Sequence, residues 1–327
     1  MTEEKIKAYV RSLPPTVFGL GAYKMLRCTK LEGGLHHLNF KLTISDGAHT
    51  RKVVLRLPAT SHNQHSLMDE AWYLAKLSPG IAPGVVYHTA TSPLGAVLIT
   101  KFMAGRHMPF DKFTKAHIIT LAEQLARVHS IKNSQYSSGG AARPHTTGTY
   151  RNYALLTIRE GNDKPYHRAK KIAHDDKTVS LARELLGQQL TSSDASWNQT
   201  EFSLCHGDLN IYNLLWAKNH LCLIDWDDAR FGDPADDVAY IFAVNHASEA
   251  WRDTFLDAYL RVSGRNDILA RINTYLLKNY LFDVVWSLGK LLEEQKGRSL
   301  IKLKQGAYRA MHEQRLEALK RYLSFVE

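Results

Sequence analysis

Cysteine is scarce in this chain: Cys28, Cys205 and Cys222 are the only three among 327 residues. No CxxC pair occurs, so neither a zinc site nor a disulfide framework is indicated, and a reducing cytoplasm is the expected setting. No apolar run approaches the roughly 20 residues that a membrane-spanning helix requires, so no membrane is expected as a partner. The opening MTEEKIKAYV is acidic and polar and is not read as a signal peptide. A clustered basic face is also lacking. The net charge is +10, but Lys and Arg are spread along the chain and interleaved with Asp and Glu, so no nucleic acid is expected as a partner. The most basic stretch, KGRSLIKLKQGAYRAMHEQRLEALKRYL, reads as an amphipathic helix pair with a solvated polar face. The 16 histidines are dispersed, and His36-His37 has no third ligand at helical spacing. No internal repeat is visible.

What is present is ample apolar content, 44% of the residues, enough for a large core and for two lobes. Strand signals occupy Lys24–Leu31, Leu38–Ile44 and Lys52–Leu57, with the loop Glu32–His37 between the first two. In the third strand Val53, Leu55 and Leu57 share one face, and Val54 and Arg56 share the other. A helix is predicted over Leu67–Leu77, then strands near Val85–His88 and Ala96–Thr100. Beyond these the pattern turns helical. One helix ends near His129, and further helical segments run from about Tyr166 to Leu190 and from Ser248 to Leu323. Asn133–Tyr150, rich in Ser and Gly, reads as a loop. The whole is an α+β, two-lobed pattern, with an antiparallel-sheet first lobe over residues 1–100, a link at 101–105 and a mainly helical second lobe over 106–327.

The segment LCHGDLNIYNLLWAKNHLCLIDWDDARFGDPADD carries the chemistry. His206-Gly207-Asp208 stands five positions ahead of Asn213, the H-x-D-x-x-x-x-N spacing of a phosphoryl-transfer loop. Leu214–Ala217 reads as a strand, Lys218-Asn219-His220 as a turn, and Leu221–Ile224 as the returning strand. The open ends of such a hairpin lie about 5 Å apart, which places Asn213 beside Asp225. An amide oxygen and a carboxylate so placed can share Mg²⁺. Asp208, in the loop entering the hairpin, is the candidate base for an attacking hydroxyl. Alone, His-Gly-Asp would be a turn and Asp-Trp-Asp-Asp a solvated acidic loop; spacing, strand context and chemistry together favour the catalytic reading.

This stretch resembles the aminoglycoside phosphotransferase and choline kinase superfamily, small-molecule kinases of the protein-kinase-like fold. The carrying motifs are His206–Asn213, Ile224–Asp227 and Gly232–Ala239, with weaker likeness in LEGGLHHLNFKL, VVLRLP and DEAWYLAKL. No G-x-G-x-x-G or A-P-E is present, and Gly207 stands where protein kinases have the Arg of H-R-D, which points away from a protein substrate.

The resemblance implies ATP as co-substrate, Mg²⁺, a small-molecule acceptor and a monomer or homodimer. It makes Gly33 and Gly34 a phosphate-approaching turn, and Arg56 the cation over the phosphates. Glu70 becomes the partner of Arg56, with Asp69 a competitor, and Lys101, Phe102 and Met103 become the adenine-side hinge. It gives Asp225 and Asn213 the metal, Asp208 the acceptor hydroxyl, and Asp237 the bracing of the catalytic loop. His129 takes a structural hydrogen bond, and Asp227 either water on the metal or a cationic substrate. On the apolar segment KNYLFDVVWSLGKLLEE, Phe282 and Trp286 stand four apart, either as core or as an aromatic cage for a cation.

The implied activity is phosphorylation of a small cationic alcohol of the choline, ethanolamine or thiamine kind. An antibiotic phosphotransferase and a catalytically inactive nucleotide-binding protein are the alternatives.

Overall fold

The structure, a computed structural model, describes residues 2–31, 37–59, 64–137, 144–169, 177–218, 220–297 and 306–324. Helix α1 (Glu3–Ser12) opens it, with Glu3 and Glu4 in the first turn and Arg11 in the last, each charge suited to its end of the helix dipole. Its Ile6, Tyr9 and Val10 form one buried stripe. Strands β1 (Lys24–Lys30), β2 (His37–Ser45) and β3 (Thr50–Pro58) follow, then α2 (Gln64–Leu74), β4 (Val85–Thr89) and β5 (Val97–Lys101). The five strands form one antiparallel sheet in the order β1-β2-β3-β5-β4.

The two faces of β3 behave as the alternation predicts. Val53, Leu55 and Leu57 join Leu42, Ile44, Val97 and Ile99 in a core closed by Ile6 and Val10 of α1. Arg56 lies on the other face, buried, with its guanidinium against Glu70 of α2. Helix α2 ends at Leu74, short of the expected Leu77, because its last residues tighten into i→i−3 bonds from Lys76 and Leu77.

Next come α3 (Lys115–His129), the two-residue β6 (Lys132–Asn133), α4 (Tyr150–Ile158), α5 (Lys164–Ala169), α6 (Lys177–Leu190) and β7 (Phe202–Cys205). The hairpin β8 (Leu214–Ala217) and β9 (His220–Leu223) follows, then β10 (Arg230–Gly232), α7 (Pro234–Val244), α8 (Glu249–Ser263), α9 (Leu269–Gln295) and α10 (Ala307–Leu323). The hairpin turn is one residue shorter than expected. His220 pairs with Ala217, and Lys218 takes a positive φ of 54° as a tight two-residue connection demands. Tyr136 and Thr146 exchange backbone bonds of 3.0 and 2.8 Å, so the described ends of the expected loop are tied together. Of the expected basic helix pair the described part is the single helix α10; the remainder, and Gly33 and Gly34, lie outside the described residues.

Two compact units result. One is built on Met1–Met108 and Tyr212–Ala229, the other on Pro109–Ser138, His145–Ile211 and Arg230–Glu327. The hairpin, numbered within the expected second lobe, thus packs with the first unit. Gly105 shows how closely: a Cβ there would come 2.7 Å from Leu215 Cγ and 2.9 Å from the Trp216 carbonyl. That approach lets Arg106 and Trp216 exchange backbone bonds of 2.8 and 3.0 Å. The second unit is mainly helical, with α9 packed on α7 and α10 and an aromatic stack of Trp251, Phe255 and Tyr259 along α8.

Candidate active site

In the first unit the charged residues converge on Arg56. Leu214 pairs with Leu223, and Ile224 donates its N–H to the Asn213 carbonyl at 3.0 Å. The hairpin therefore closes at Asn213 and delivers Asp225 next to it. Asp225 has φ 66°, a left-handed conformation that few non-glycine residues adopt and that costs of order 1 kcal/mol or more. Its Oδ1 accepts from Arg56 Nη2 at 2.6 Å, while Arg56 Nη1 donates to Glu70 Oε1. Glu70 also accepts from the Trp226 backbone N–H at 3.4 Å. The guanidinium fork is thus held by α2 on one side and the hairpin exit on the other. Burial opposes its charge, but Glu70 and Asp225 carry its pKa above the ordinary arginine value.

His37, which was not foreseen, and Asp227, expected either at water on the metal or at a cationic substrate, complete the cluster. His37 Nδ1 lies 3.2 Å from Arg56 Nη2 and 3.8 Å from Asp227 Oδ2, and its Nε2 meets Ser66 Oγ at 2.9 Å. His37, Asp225 and Asp227 each bring one ligand atom within 4.8 Å of the others. Burial, then the neighbouring Asp225 charge, pushes the Asp227 carboxyl up to about 9, and burial raises Glu70 to about 7 against the pull of Arg56. At neutral pH Asp227 therefore keeps its proton, and a cation bound beside Asp225 would take that proton's place. The oxygen donors of Asp225, Asp227 and Asn213 suit Mg²⁺, which prefers carboxylate and amide oxygen to imidazole. Lys101, an exposed residue, ends β5, and Phe102 donates to the Lys52 carbonyl at 3.1 Å while Lys41 Nζ sits 3.9 Å from its ring. Met103 follows, half-buried.

In the second unit the loop His206-Gly207-Asp208 follows β7 and is tied to α7. Gly207 has φ 86°, which explains glycine at that position. The His206 and Gly207 N–H groups donate to Asp237 at 2.6 and 2.9 Å, the bracing expected of Asp237. His129 adds a 3.3 Å contact to the same carboxylate and a 2.7 Å bond to Tyr259. Burial would raise the Asp237 carboxyl; the His129 bond, together with the charges of His129, Arg230 and His206, outweighs it and brings the group to about 2. His129, Cys205 and Asp237 also lie close together. Burial keeps the Cys205 thiol protonated, and both His129 nitrogens already have partners, so the trio reads as packing around the loop. Asp208 Oδ1 accepts from the Tyr240 hydroxyl at 2.6 Å and from Asn210 Nδ2 at 2.9 Å, which fixes the rotation of the carboxylate.

On α9 an acid that was not foreseen, Asp283, feels the charge of Asp208. Burial, with the Asp208 charge adding to it, raises Asp283 to about 6. Phe282 and Trp286 on the same helix are half-buried rather than enclosed. Phe282 packs over Gly161, where a Cβ would come 3.3 Å from Cδ2. Arg315 of α10 stands 4.6 Å from the Trp286 ring centroid and 3.7 Å from Asp283 Oδ1.

Sequence reasoning missed His37, Tyr240, Asp283 and Arg315. The only signal for Asp283 was a lone acid inside an apolar helical run.

A family model described as the phosphotransferase enzyme family matches residues 27–272. Solved structures similar to the chain share its fold. A thermostable mutant of aminoglycoside phosphotransferase APH(4)-Ia, in ternary complex with AMP-PNP and hygromycin B, is 17% identical with a TM-score of 0.64, covering 97% of this chain and 98% of that one. A choline kinase from Cryptosporidium parvum Iowa II is 15% identical with a TM-score of 0.66, covering 99% and 96%. A choline/ethanolamine kinase family protein from Mesorhizobium loti is 18% identical with a TM-score of 0.61, covering 99% and 95%. Among curated proteins, a Caenorhabditis elegans protein described as an uncharacterized oxidoreductase, dhs-27, is 36% identical over 90 residues, 24% of this chain and 11% of that protein. The matched residues run from β1 to the start of α9 and take in Arg56, Asp208, Asn213 and Asp225: the chain belongs to the phosphotransferase enzyme family, in the α+β fold shared with aminoglycoside phosphotransferases and choline kinases.

Proposed function

We propose that this protein transfers the γ-phosphoryl group of ATP to a hydroxyl of a small, cationic alcohol. The observation that carries the phosphotransfer reading is the Arg56 guanidinium, bonded at once to Glu70 and to Asp225 at the hairpin exit. Arg56 offers its fork to the nucleotide's phosphate oxygens, with Glu70 fixing its direction. Asp225, Asp227 and Asn213 would hold Mg²⁺, which when bound neutralises charge on the phosphates. Asp208, turned by Tyr240 and Asn210, accepts or orients the acceptor's hydroxyl proton. The loose phosphoryl transition state rewards positioning more than full proton abstraction. The residues 101–105 serve as the hinge between a nucleotide lobe and an acceptor lobe, with Lys101, Phe102 and Met103 on the adenine side.

The cationic acceptor is supported by the half-buried indole of Trp286 and by Asp283 beside Asp208, a π-face and a carboxylate on one helix. The same carboxylates also favour a second reading, a polycationic antibiotic as acceptor. One screen separates them. Acceptor-dependent ADP release with Mg²⁺ is measured for choline, ethanolamine, thiamine, homoserine, aminoglycosides and macrolides. Turnover with the small cations supports the first reading, and turnover confined to the antibiotics replaces it. No turnover with any of them defeats both.

A further inference from the structure

We infer that Arg315 of α10 is a tethered cation that fills the Trp286–Asp283 subsite and must yield to a cationic acceptor, setting the acceptor's affinity from outside the catalytic loop. The inference rests on the cationic-acceptor reading and adds a specificity-determining residue to it. The guanidinium carbon stands 4.6 Å from the Trp286 ring centroid, within cation–π range. Nη1 lies 3.7 Å from Asp283 Oδ1 and donates to the Asp283 carbonyl at 3.3 Å. One cation therefore satisfies both the π-face and the carboxylate that an incoming ammonium would use. Lys290 Nζ, 5.6 Å from the ring centroid, adds a second positive charge near that indole but is paired with Glu293 at 2.9 Å.

The arrangement has the marks of a replaceable ligand rather than a locked bridge. The Arg315 side chain keeps 22% of its surface in water, so it is not sealed into the protein. Its ion pair with Asp283 is long. By contrast, Arg271 grips Asp233 of α7 by two bonds of 2.6 and 3.0 Å and is fully buried. The subsite is also close enough to the catalytic loop to feel the charge of Asp208. An ammonium taking the place of Arg315 leaves the charge count beside Asp208 unchanged, whereas a neutral acceptor displacing it strands Asp283.

The test is Arg315→Gln in the full chain, with Arg315→Met, which keeps the apolar stem over the indole, as the second variant should the first not fold. The KM for choline is expected to fall about three- to ten-fold, the cation–π scale, while the nucleotide KM stays within two-fold. Arg315→Lys keeps the tethered charge and should stay near the wild-type KM. A separate arm needs no turnover: tetramethylammonium chloride is titrated against tryptophan fluorescence, with Trp286→Phe as the blank. Tighter binding to Arg315→Gln than to the wild-type protein is expected. A KM that rises would make Arg315 a direct contact to the acceptor, and unchanged KM and binding would make it packing; either result overturns the inference. If no small cationic alcohol is phosphorylated yet tetramethylammonium binds the variant more tightly, the tethered cation stands and the acceptor reading falls.

Discussion

At the residue scale, two carboxylates one hairpin apart have different surroundings, and the proposed function gives them different work. Asp208 accepts from the Tyr240 hydroxyl and from Asn210, which orient its carboxylate. Asp225 is held by a cation and sits on a strained backbone, the condition of a group kept for function. Asp208→Ala should therefore leave the nucleotide KM nearly unchanged and lower kcat by about 100-fold or more, the scale of a lost general base. Steady-state kinetics with the acceptor found in the screen decides this, and near-wild-type turnover would remove Asp208 from that role. Asp225→Asn and Asn213→Ala should both lower activity at limiting Mg²⁺. Only the carboxylate brings charge to the ion, so raised Mg²⁺ should rescue Asn213→Ala further. Equal rescue of the two variants would break the proposed division of labour.

At the element scale, α7 is the fastening of the second unit. Asp233 caps it, accepting from the Ala235 N–H at 3.0 Å, and Pro234 occupies the first turn, where no backbone donor is missed. The three acids of GDPADD are buried, and each faces a different neighbour. Asp233 takes Arg271, Asp236 takes Lys278 and Tyr153, and Asp237 takes the catalytic loop. Asp233→Ala takes the two-bond partner from the fully buried Arg271 and leaves it Asp267 Oδ2, at 3.1 Å, as its one carboxylate among the described contacts. It should cost roughly 3–5 kcal/mol, read as a lower urea midpoint with the slope unchanged; a loss under about 1 kcal/mol, the usual scale of a surface pair, would show that the pair is replaceable. Asp233-Pro234 is a local helix-start signal, but no helix was expected over 234–244 from the sequence, and the partners of its acids lie far along the chain. The strands around Arg56 and the hairpin were legible because period-two alternation and turn residues are local properties: they put Arg56 on the face opposite Val53, Leu55 and Leu57, and Asn213 at the closing end of the hairpin next to Asp225. Asp283, Arg315 and Tyr240 could not be read this way. Each meets its partner across distant parts of the chain, and nothing local marks an acid in an apolar helix as paired rather than misplaced.

At the scale of the whole molecule, the two units carry separate cores, so their stabilities can respond to different changes. Among the described residues no helix is long and apolar enough to cross a membrane. The second unit contains a deliberate weakness. Asp283 is buried, paired only loosely by Arg315, and exposed to the charge of Asp208, so its carboxyl rises from the ordinary 3.8 to about 6. A group that holds its proton more tightly when folded stabilises the fold fully below its unfolded pKa and loses that contribution as pH rises through the folded value. Asp283 therefore helps the fold near pH 4, and by pH 7 that help is gone, a swing of about 3 kcal/mol at most. Asp283→Asn keeps the shape and removes the titration. The variant should match the wild-type melting temperature near pH 4 and exceed it increasingly between pH 5 and 7, in whichever transition reports the helical unit. It should also bind tetramethylammonium less tightly, because the carboxylate that costs stability is the one that attracts the cation. A variant no more stable than wild type at pH 7, with a flat difference across the range, would mean that Asp283 is ordinarily ionised and that the charge beside Asp208 is structural.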